Sequence, residues 1–203
     1  MRKSRIVSSL AVAAVAAVGF LPKAKARVGG QTLQNLQSAY NGESNARARY
    51  LAFAQQADKE GYLQVAALFR AAARAEQIHL TNHAAVIKQL GAIPKARIEK
   101  PVVRSTRENL DGSASKGEAY ERDTMYPAFI KTAEHEGLPA AVKTFQYAQE
   151  AEAEHYNLFA AASDHLDQMR SPGVVYYACS VSGYTSATRD RAHCPAGEYE
   201  PVK

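Results

Sequence analysis

Cysteine is scarce in this chain of 203 residues, which contains only Cys179 and Cys194. Two thiols are too few for a site that holds one iron ion with four thiolates. Zinc and Cu(I) also favour thiolate-rich sites. A metal site in this protein is therefore expected to use other ligands.

An excess of charge is also missing once the first 26 residues are set aside. These residues hold five of the 25 basic side chains and none of the 20 acidic ones, so the remainder carries 20 of each. The formal net charge of +5 therefore belongs to the leader. A near-neutral remainder gives no reason to expect binding to nucleic acid.

Long hydrophobic runs are limited to residues 6–21, a stretch that is short for a membrane span. Basic residues precede it, and Ala24-Lys25-Ala26 follows as an A-x-A cleavage pattern. We predict that residues 1–26 are an export signal, removed after Ala26. The protein is then exported, to the periplasm or another extracytoplasmic space, without membrane association. An uncleaved anchor is the alternative.

Much of the remaining sequence occurs twice, 76 residues apart. The repeated aromatic positions are Tyr50, Phe53 and Phe69, which recur as Tyr126, Phe129 and Phe145. The repeated polar positions are Glu76-x-x-His79, which recurs as Glu152-x-x-His155, and Gly42-Glu43, which recurs as Gly117-Glu118 after a one-residue slip. A repeat of this length predicts two helical hairpins with a pseudo-twofold site between them.

Apolar periodicity predicts four helices, over residues 31–59, 63–90, 115–136 and 139–169. Pro127 should kink the third helix or open its hydrogen bonds. Residues 92–115 are long enough to cross from one end of a bundle to the other. The predicted fold is all-α, a ferritin-like four-helix bundle of two hairpins joined by a long crossover. The bundle is assigned to residues 27–170, and residues 171–203 are assigned to a small β-rich tail.

Seven metal-binding side chains fall on the inward faces of these helices. They are Glu43, Glu76, His79, Glu118, Glu121, Glu152 and His155. A single Glu-x-x-His is usually found on a solvated helix surface, but here both copies lie on buried stripes. Five carboxylates in a low-dielectric interior cannot all stay ionised unless cations neutralise them. Carboxylate and imidazole ligands favour iron or manganese.

The other histidines carry weaker signals. His83 lies one turn after His79 and has Phe159 as its repeat counterpart, which favours a hydrogen-bonded core histidine over an eighth ligand. His135, His165 and His193 have no partners at ligand spacing, and we interpret them as surface or structural residues.

At these positions the chain resembles the rubrerythrin family. The matching segments are Gly42-Glu43-Ser44 with Tyr50, Glu76-x-x-His79, Gly117-Glu118-x-x-Glu121 with Met125-Tyr126-Pro127, and Glu152-x-x-His155. The resemblance covers roughly residues 33–166. It implies a bundle that holds two non-haem iron ions, possibly oxo-bridged, and reduces hydrogen peroxide to water, a role in oxidative stress.

The resemblance also implies roles for particular residues. All seven side chains would be iron ligands, and His79 and Glu121 would exchange at one iron as its oxidation state changes. Tyr50 and Tyr126 would lie beside the cluster as catalytic residues. The family further suggests a homodimer. Manganese in place of iron, a ferroxidase or iron-handling role, and a non-catalytic binding module remain alternatives.

The tail departs from the family pattern. Cys179 and Cys194 each begin a segment that looks like a knuckle of a rubredoxin module, but Ser182 and Gly197 stand where the other two cysteines would be. We therefore expect no rubredoxin-type iron site and a disulfide between the two cysteines. Electrons would have to come from an external donor protein, which the sequence does not identify.

Overall fold

The computed structural model describes residues 30–171, 173–189, 191–194 and 197–202. The predicted export signal, residues 1–26, lies outside these ranges. Within them, no helix is both long enough and apolar enough to span a bilayer.

The first hairpin consists of helix α1, Gly30–Glu60, and helix α2, Leu63–Gln89. Gly61 joins them with φ at 78°, in the left-handed region that glycine adopts without steric cost. The two helices begin and end within one residue of the predicted positions.

The crossover, residues 92–105, is held against α1 by amide side chains spaced four residues apart. Gln37, Asn41 and Asn45 bond the crossover backbone at Ile93, Lys95, Arg97 and Glu99. Four helical residues rise about 6 Å and two extended residues about 6.6 Å. These lengths nearly match, so each turn of α1 meets the next pair of crossover residues.

The third bundle helix runs over residues 106–135, so the predicted start at residue 115 was wrong. It contains α3, Thr106–Gly112, two π-helical segments, Ser113–Glu118 and Glu121–Met125, and α4, Tyr126–His135. Ser105 caps it in a reciprocal capping box with Glu108, and Glu60 accepts a hydrogen bond from the Thr106 N–H at 2.9 Å. The polar character of residues 106–114 suggested a loop, but the capping box stabilises a helix that begins at Thr106.

The two π-helical segments explain the slip in the repeat. Thr32, Asn35 and Leu36 recur 74 residues later as Thr106, Asn109 and Leu110. The spacing is 75 at Gly42-Glu43 and 76 from Tyr50 onward. Each increase coincides with one π segment, because a π turn accommodates an extra residue within a helix. Pro127 is the second residue of α4, directly after the second π segment, where its missing N–H costs least.

The fourth bundle helix, α5, covers Pro139–Asp164 and is followed by a 3₁₀ turn, Leu166–Gln168. The predicted continuation to residue 169 was wrong. The Met169 carbonyl instead accepts a hydrogen bond from the Gln64 N–H at 3.1 Å, which satisfies an otherwise unbonded donor in the first turn of α2. This tertiary contact requires the chain to leave the helix axis.

The glutamates at the two hairpin turns hold the hairpins together. Glu136 accepts hydrogen bonds from the Gln31 and Thr32 N–H groups at the start of α1, while its repeat counterpart Glu60 does the same for Thr106. Each hairpin therefore caps the first helix of the other.

The core contains two pseudo-symmetric aromatic groups, one on each side of the bundle centre. One consists of Tyr50, Phe53, Phe69 and Phe159, and the other of Tyr126, Phe129, Phe145 and His83. The single polar difference is His83, which takes the place of Phe159.

The tail forms an antiparallel sheet of β1, Tyr176–Cys179, β2, Thr185–Ser186, and β3, Tyr199–Val202, in the order β2-β1-β3. This confirms the predicted small β-rich tail. The predicted disulfide between Cys179 and Cys194 is also confirmed, with 5.7 Å between the two Cα atoms.

Candidate metal centre

Six of the seven predicted ligands meet in the centre of the bundle. Each is at most 1% exposed, and together they come from all four bundle helices: Glu43 on α1, Glu76 and His79 on α2, Glu118 in the first π segment, Glu152 and His155 on α5. The spacing of three residues in each Glu-x-x-His places both side chains on one helix face.

The six side chains form two overlapping groups. One group is Glu43, Glu76, His79 and Glu152, and the other is Glu76, Glu118, Glu152 and His155. Within each group, one ligand atom per residue lies within 4.8 Å of all the others. Glu76 and Glu152 belong to both groups, so the arrangement suits two adjacent cations that share two carboxylates.

Both histidines present Nδ1 to the carboxylates. His79 Nδ1 lies 3.0 Å from Glu76 Oε2 and 3.2 Å from Glu152 Oε1. His155 Nδ1 lies 2.8 Å from Glu152 Oε2 and 3.7 Å from Glu76 Oε1. The two rings therefore offer equivalent atoms to the centre, as a duplicated motif requires.

Two buried tyrosines connect the outer carboxylates across the pseudo-twofold axis. Tyr50 on α1 donates a hydrogen bond to Glu118, and Tyr126 on α4 donates one to Glu43. Burial, followed by the charge of these carboxylates, raises the pKa of each phenol well above its usual value. Both hydroxyls consequently remain protonated at neutral pH and act as donors.

Carboxylate crowding dominates the electrostatics of the site. Burial and the charge of Glu152 raise the pKa of Glu76 and of Glu118 well above that of an ordinary glutamate. Burial also raises the pKa of Glu152, although a hydrogen bond with His79 opposes it. Without cations, the cluster therefore keeps protons that exposed carboxyl groups would release.

Glu43 departs from this pattern because of His83. Burial would raise the pKa of Glu43, but its interactions with His83 and His79 lower it to about 2. Glu43 Oε1 lies 3.8 Å from His83 Nε2. Glu118 has no such neighbour, because Phe159 occupies the position equivalent to His83. The two halves of the site therefore differ in charge despite their shared ligands.

The residues present fit a pair of metal ions. Glu43 Oε2 is buried and accepts no hydrogen bond from the described residues, and a buried oxygen in that state is costly unless a cation compensates it. The donor set of carboxylates and imidazoles suits iron or manganese.

Glu121 stays outside both groups. It lies in the second π segment and is partly buried. Burial of its carboxyl group and repulsion by Glu43 raise its pKa well above the usual value. The seventh predicted ligand is thus a neighbour of the cluster in this arrangement.

The remaining histidines agree with their interpretation. His83 is buried and lies 3.0 Å from Thr144 Oγ1 and 3.4 Å from the Tyr126 hydroxyl, as a hydrogen-bonded core histidine should. His135, His165 and His193 are exposed.

Two residues of the tail reach the site through contacts that no sequence motif indicates. The Ser182 carbonyl lies 3.1 Å from His79 Nε2, and Thr185 Oγ1 lies 3.0 Å from His155 Nε2. In the sequence, Ser182 stands out only because it occupies the position of a rubredoxin cysteine, and Thr185 belongs to no motif.

Comparisons with known proteins agree with this geometry. The sequence model of the rubrerythrin family matches residues 34–163. Nigerythrin of Nitratidesulfovibrio vulgaris is 38% identical over 167 residues, which covers 82% of this chain and 81% of nigerythrin. A solved structure of nigerythrin in its fully reduced, all-ferrous state superposes with a TM-score of 0.76 at 34% identity, covering 84% of this chain and 86% of that one.

A more distant likeness concerns the fold alone. A bacterioferritin of Desulfovibrio desulfuricans superposes with a TM-score of 0.65 at 23% identity, covering 73% of this chain and 88% of the other. The predicted ferritin-like bundle is therefore confirmed.

Proposed function

The chain belongs to the rubrerythrin family, whose members are di-iron proteins with a peroxide-reducing role, and from this membership we propose that it is itself a peroxidase. It would reduce hydrogen peroxide to water with two electrons from an external donor protein and two protons. The observation that carries the proposal is the pair of overlapping ligand groups that share Glu76 and Glu152.

The metal pair, when bound, supplies the redox chemistry of peroxide cleavage. The protein would hold it with Glu43, Glu76, His79, Glu118, Glu152 and His155, whose burial keeps bulk water away from the centre. Tyr50 and Tyr126 remain protonated and bond the outer carboxylates, so they can orient Glu118 and Glu43 while charge in the centre changes.

A cavity at the edge of the site favours peroxide over Fe(II) as the substrate. It has a volume of about 320 Å³, and Tyr50 is among the residues that line it. Arg49, Arg104 and Lys116 line it, with Glu108 as the single acidic residue among its lining groups. A cationic lining leaves neutral hydrogen peroxide unaffected but repels ferrous ions, which a ferroxidase must admit.

Relative rates with peroxide and oxygen test the proposal. Iron should be loaded anaerobically and its oxidation followed by stopped-flow absorption after mixing with either oxidant. We expect peroxide to react at least about tenfold faster than oxygen, a difference of roughly 1.4 kcal/mol in barrier. Comparable rates with oxygen, with iron accumulating beyond two ions per chain, would support the ferroxidase alternative. A protein that takes up no metal would support the non-catalytic one.

We also propose that His79 and Glu121 exchange as ligands during turnover. In support, His79 lies within one of the two ligand groups. The Glu121 carboxyl lies outside both groups, and burial and repulsion by Glu43 raise its pKa. We expect His79→Ala to retain most of the metal but to slow peroxide reduction by about tenfold or more, because one of the two arrangements is lost. Peroxide reduction at the parent rate, with iron content measured on the same sample, would contradict the exchange.

Export remains a proposal as well. The leader pattern of residues 1–26 and a disulfide between the two cysteines both suit an oxidising compartment. Mass spectrometry of the protein isolated from its own cells tests it, since a mature chain beginning at Arg27 is expected and an intact Met1 would contradict cleavage.

A further inference from the structure

The turn between β1 and β2, residues 180–184, packs directly on the metal-site helices. Asn82 on α2 donates a hydrogen bond to the Val181 carbonyl in this turn at 2.9 Å. Arg74, also on α2, forms an ion pair at 2.6 Å with Glu200 on the neighbouring strand β3. At Gly183, where φ is 79°, a Cβ atom would lie 2.4 Å from His79 Nε2. Only glycine allows the turn to approach this closely, so the contact is built into the backbone.

The backbone of this turn determines which nitrogen of His79 carries a proton. The Ser182 carbonyl, 3.1 Å from Nε2, can only accept a hydrogen bond, so Nε2 must be the donor. Nδ1, the atom that faces Glu76 and Glu152, then becomes the metal-binding atom of the ring.

Thr185 performs the same task for His155 through its side chain. A hydroxyl can donate or accept, so its 3.0 Å contact with His155 Nε2 does not by itself set the direction. Thr185 Oγ1, however, donates its single proton to the Gly183 carbonyl at 3.3 Å. Its lone pair is left for the imidazole, so Nε2 of His155 is the donor and Nδ1 faces the carboxylates.

Burial makes this arrangement specific. Thr185 is fully buried and His155 is fully buried, so their bond excludes competition from solvent. A histidine ligand depends on such a partner for its ring orientation and tautomer, and loss of the partner typically weakens metal binding about 10–100-fold.

We propose that Thr185 is a positioning residue for the metal centre and that the tail acts as a clamp on both histidines. The clamp consists of the Ser182 carbonyl on His79 and the Gly183–Thr185 pair on His155. This inference rests on the proposed function only in assuming that His155 binds metal. The tail has Ser182 and Gly197 where a rubredoxin module would have two of its cysteines. The clamp gives this tail a function that needs no iron of its own.

Thr185→Val tests the clamp, with Thr185→Ser as the matched control, because valine keeps the shape and serine keeps the hydroxyl. Zn²⁺, which is redox-inert, should be titrated into the metal-free full-length protein against a competing chelator. We expect Thr185→Val to weaken the binding of one of the two zinc ions by about 10–100-fold. The zinc affinity of Thr185→Ser should stay within about threefold of the parent. Equal affinity of the valine variant and the parent for both ions would overturn the proposal.

A second measurement needs no variant. In the Zn²⁺-loaded parent protein labelled with ¹⁵N-histidine, NMR should show protonated Nε2 and metal-bound Nδ1 for both His79 and His155. Metal bound through Nε2 of either ring would overturn the clamp. Because neither readout uses peroxide, the clamp can hold even if the iron-loaded protein proves inactive as a peroxidase. The intact mass shows whether the Cys179–Cys194 disulfide of each variant has formed.

Discussion

Replacing either Glu76 or Glu152 with glutamine will empty both metal positions, whereas replacing Glu43 or Glu118 will weaken mainly one. The difference follows from the geometry, because Glu76 and Glu152 belong to both ligand groups and Glu43 and Glu118 to one each. Glutamine keeps the shape of the side chain but removes the negative charge. Breaking a buried charge pair costs about 3–5 kcal/mol, which corresponds to a loss of affinity of a hundredfold or more.

Elemental analysis after dialysis against a fixed free metal concentration provides the measurement. Glu150→Gln is the matched control, because Glu150 lies on α5 two residues before Glu152 but is exposed. We expect about two ions per chain in the parent and the control and near zero in the Glu76 and Glu152 variants. Selective loss of a single ion from either of these variants would show that the two positions do not share their carboxylates.

Raising the pH above neutrality will destabilise the metal-free protein and leave the metal-loaded protein nearly unaffected. Glu76, Glu118 and Glu121 have folded-state pKa values well above the ordinary 4.5, so the folded chain holds protons that the unfolded chain has already released. Stability must then fall as pH rises, by about 1.4 kcal/mol per pH unit for each extra proton held.

The pKa shifts of the histidines determine the pH range over which a stability measurement is informative. Burial lowers the pKa of His155 to about 4 and also lowers that of His83, which makes stability rise with pH below 6.5. His79 acts in the opposite direction, because its bond with Glu152 and nearby charges outweigh burial and raise its pKa. Above the ordinary histidine pKa of 6.5 the groups with lowered pKa values no longer contribute, and each group with a raised pKa makes stability fall as pH rises.

Urea unfolding from about pH 7 to about pH 9, with and without Zn²⁺, provides the measurement. Bound cations replace the protons and compensate the carboxylates, so the slope should vanish in the loaded protein. A metal-free protein whose stability stays level or increases over this range would show that the cluster is ionised without cations.

The repeat allowed much of the site to be predicted from sequence, because two copies of one periodic pattern constrain each other. Glu76 and His79 could not be distinguished from surface residues alone, but their counterparts Glu152 and His155 lie on an equally apolar stripe. Helix periodicity then requires both pairs to face the bundle centre. The same reasoning marked Tyr50 and Tyr126 only as inward-facing aromatic residues, and their place beside the cluster was implied by the family resemblance.

Features that depend on distant contacts could not be predicted. The start of the third helix at Thr106 depends partly on Glu60, 46 residues earlier, although the Ser105 and Glu108 capping box was visible in the sequence. The contact between the tail and His79 joins residues 103 positions apart through a carbonyl group, which every residue possesses. No side-chain pattern can signal such a bond.

The two π-helical turns are the places where the two halves of the repeat differ in length. Between Leu110 and Tyr126 the second half holds two residues more than the matching stretch of the first half, one at each π turn. Glu121 lies in the second of these turns and has no acidic counterpart in α1. The asymmetry of the site therefore reflects a difference in length between the halves as well as differences in residue type. Removing Glu121 and so shortening residues 119–125 by one would restore the spacing of 75 found at Glu43 and Glu118, and would leave a centre with the six repeated or pseudo-symmetric ligands alone.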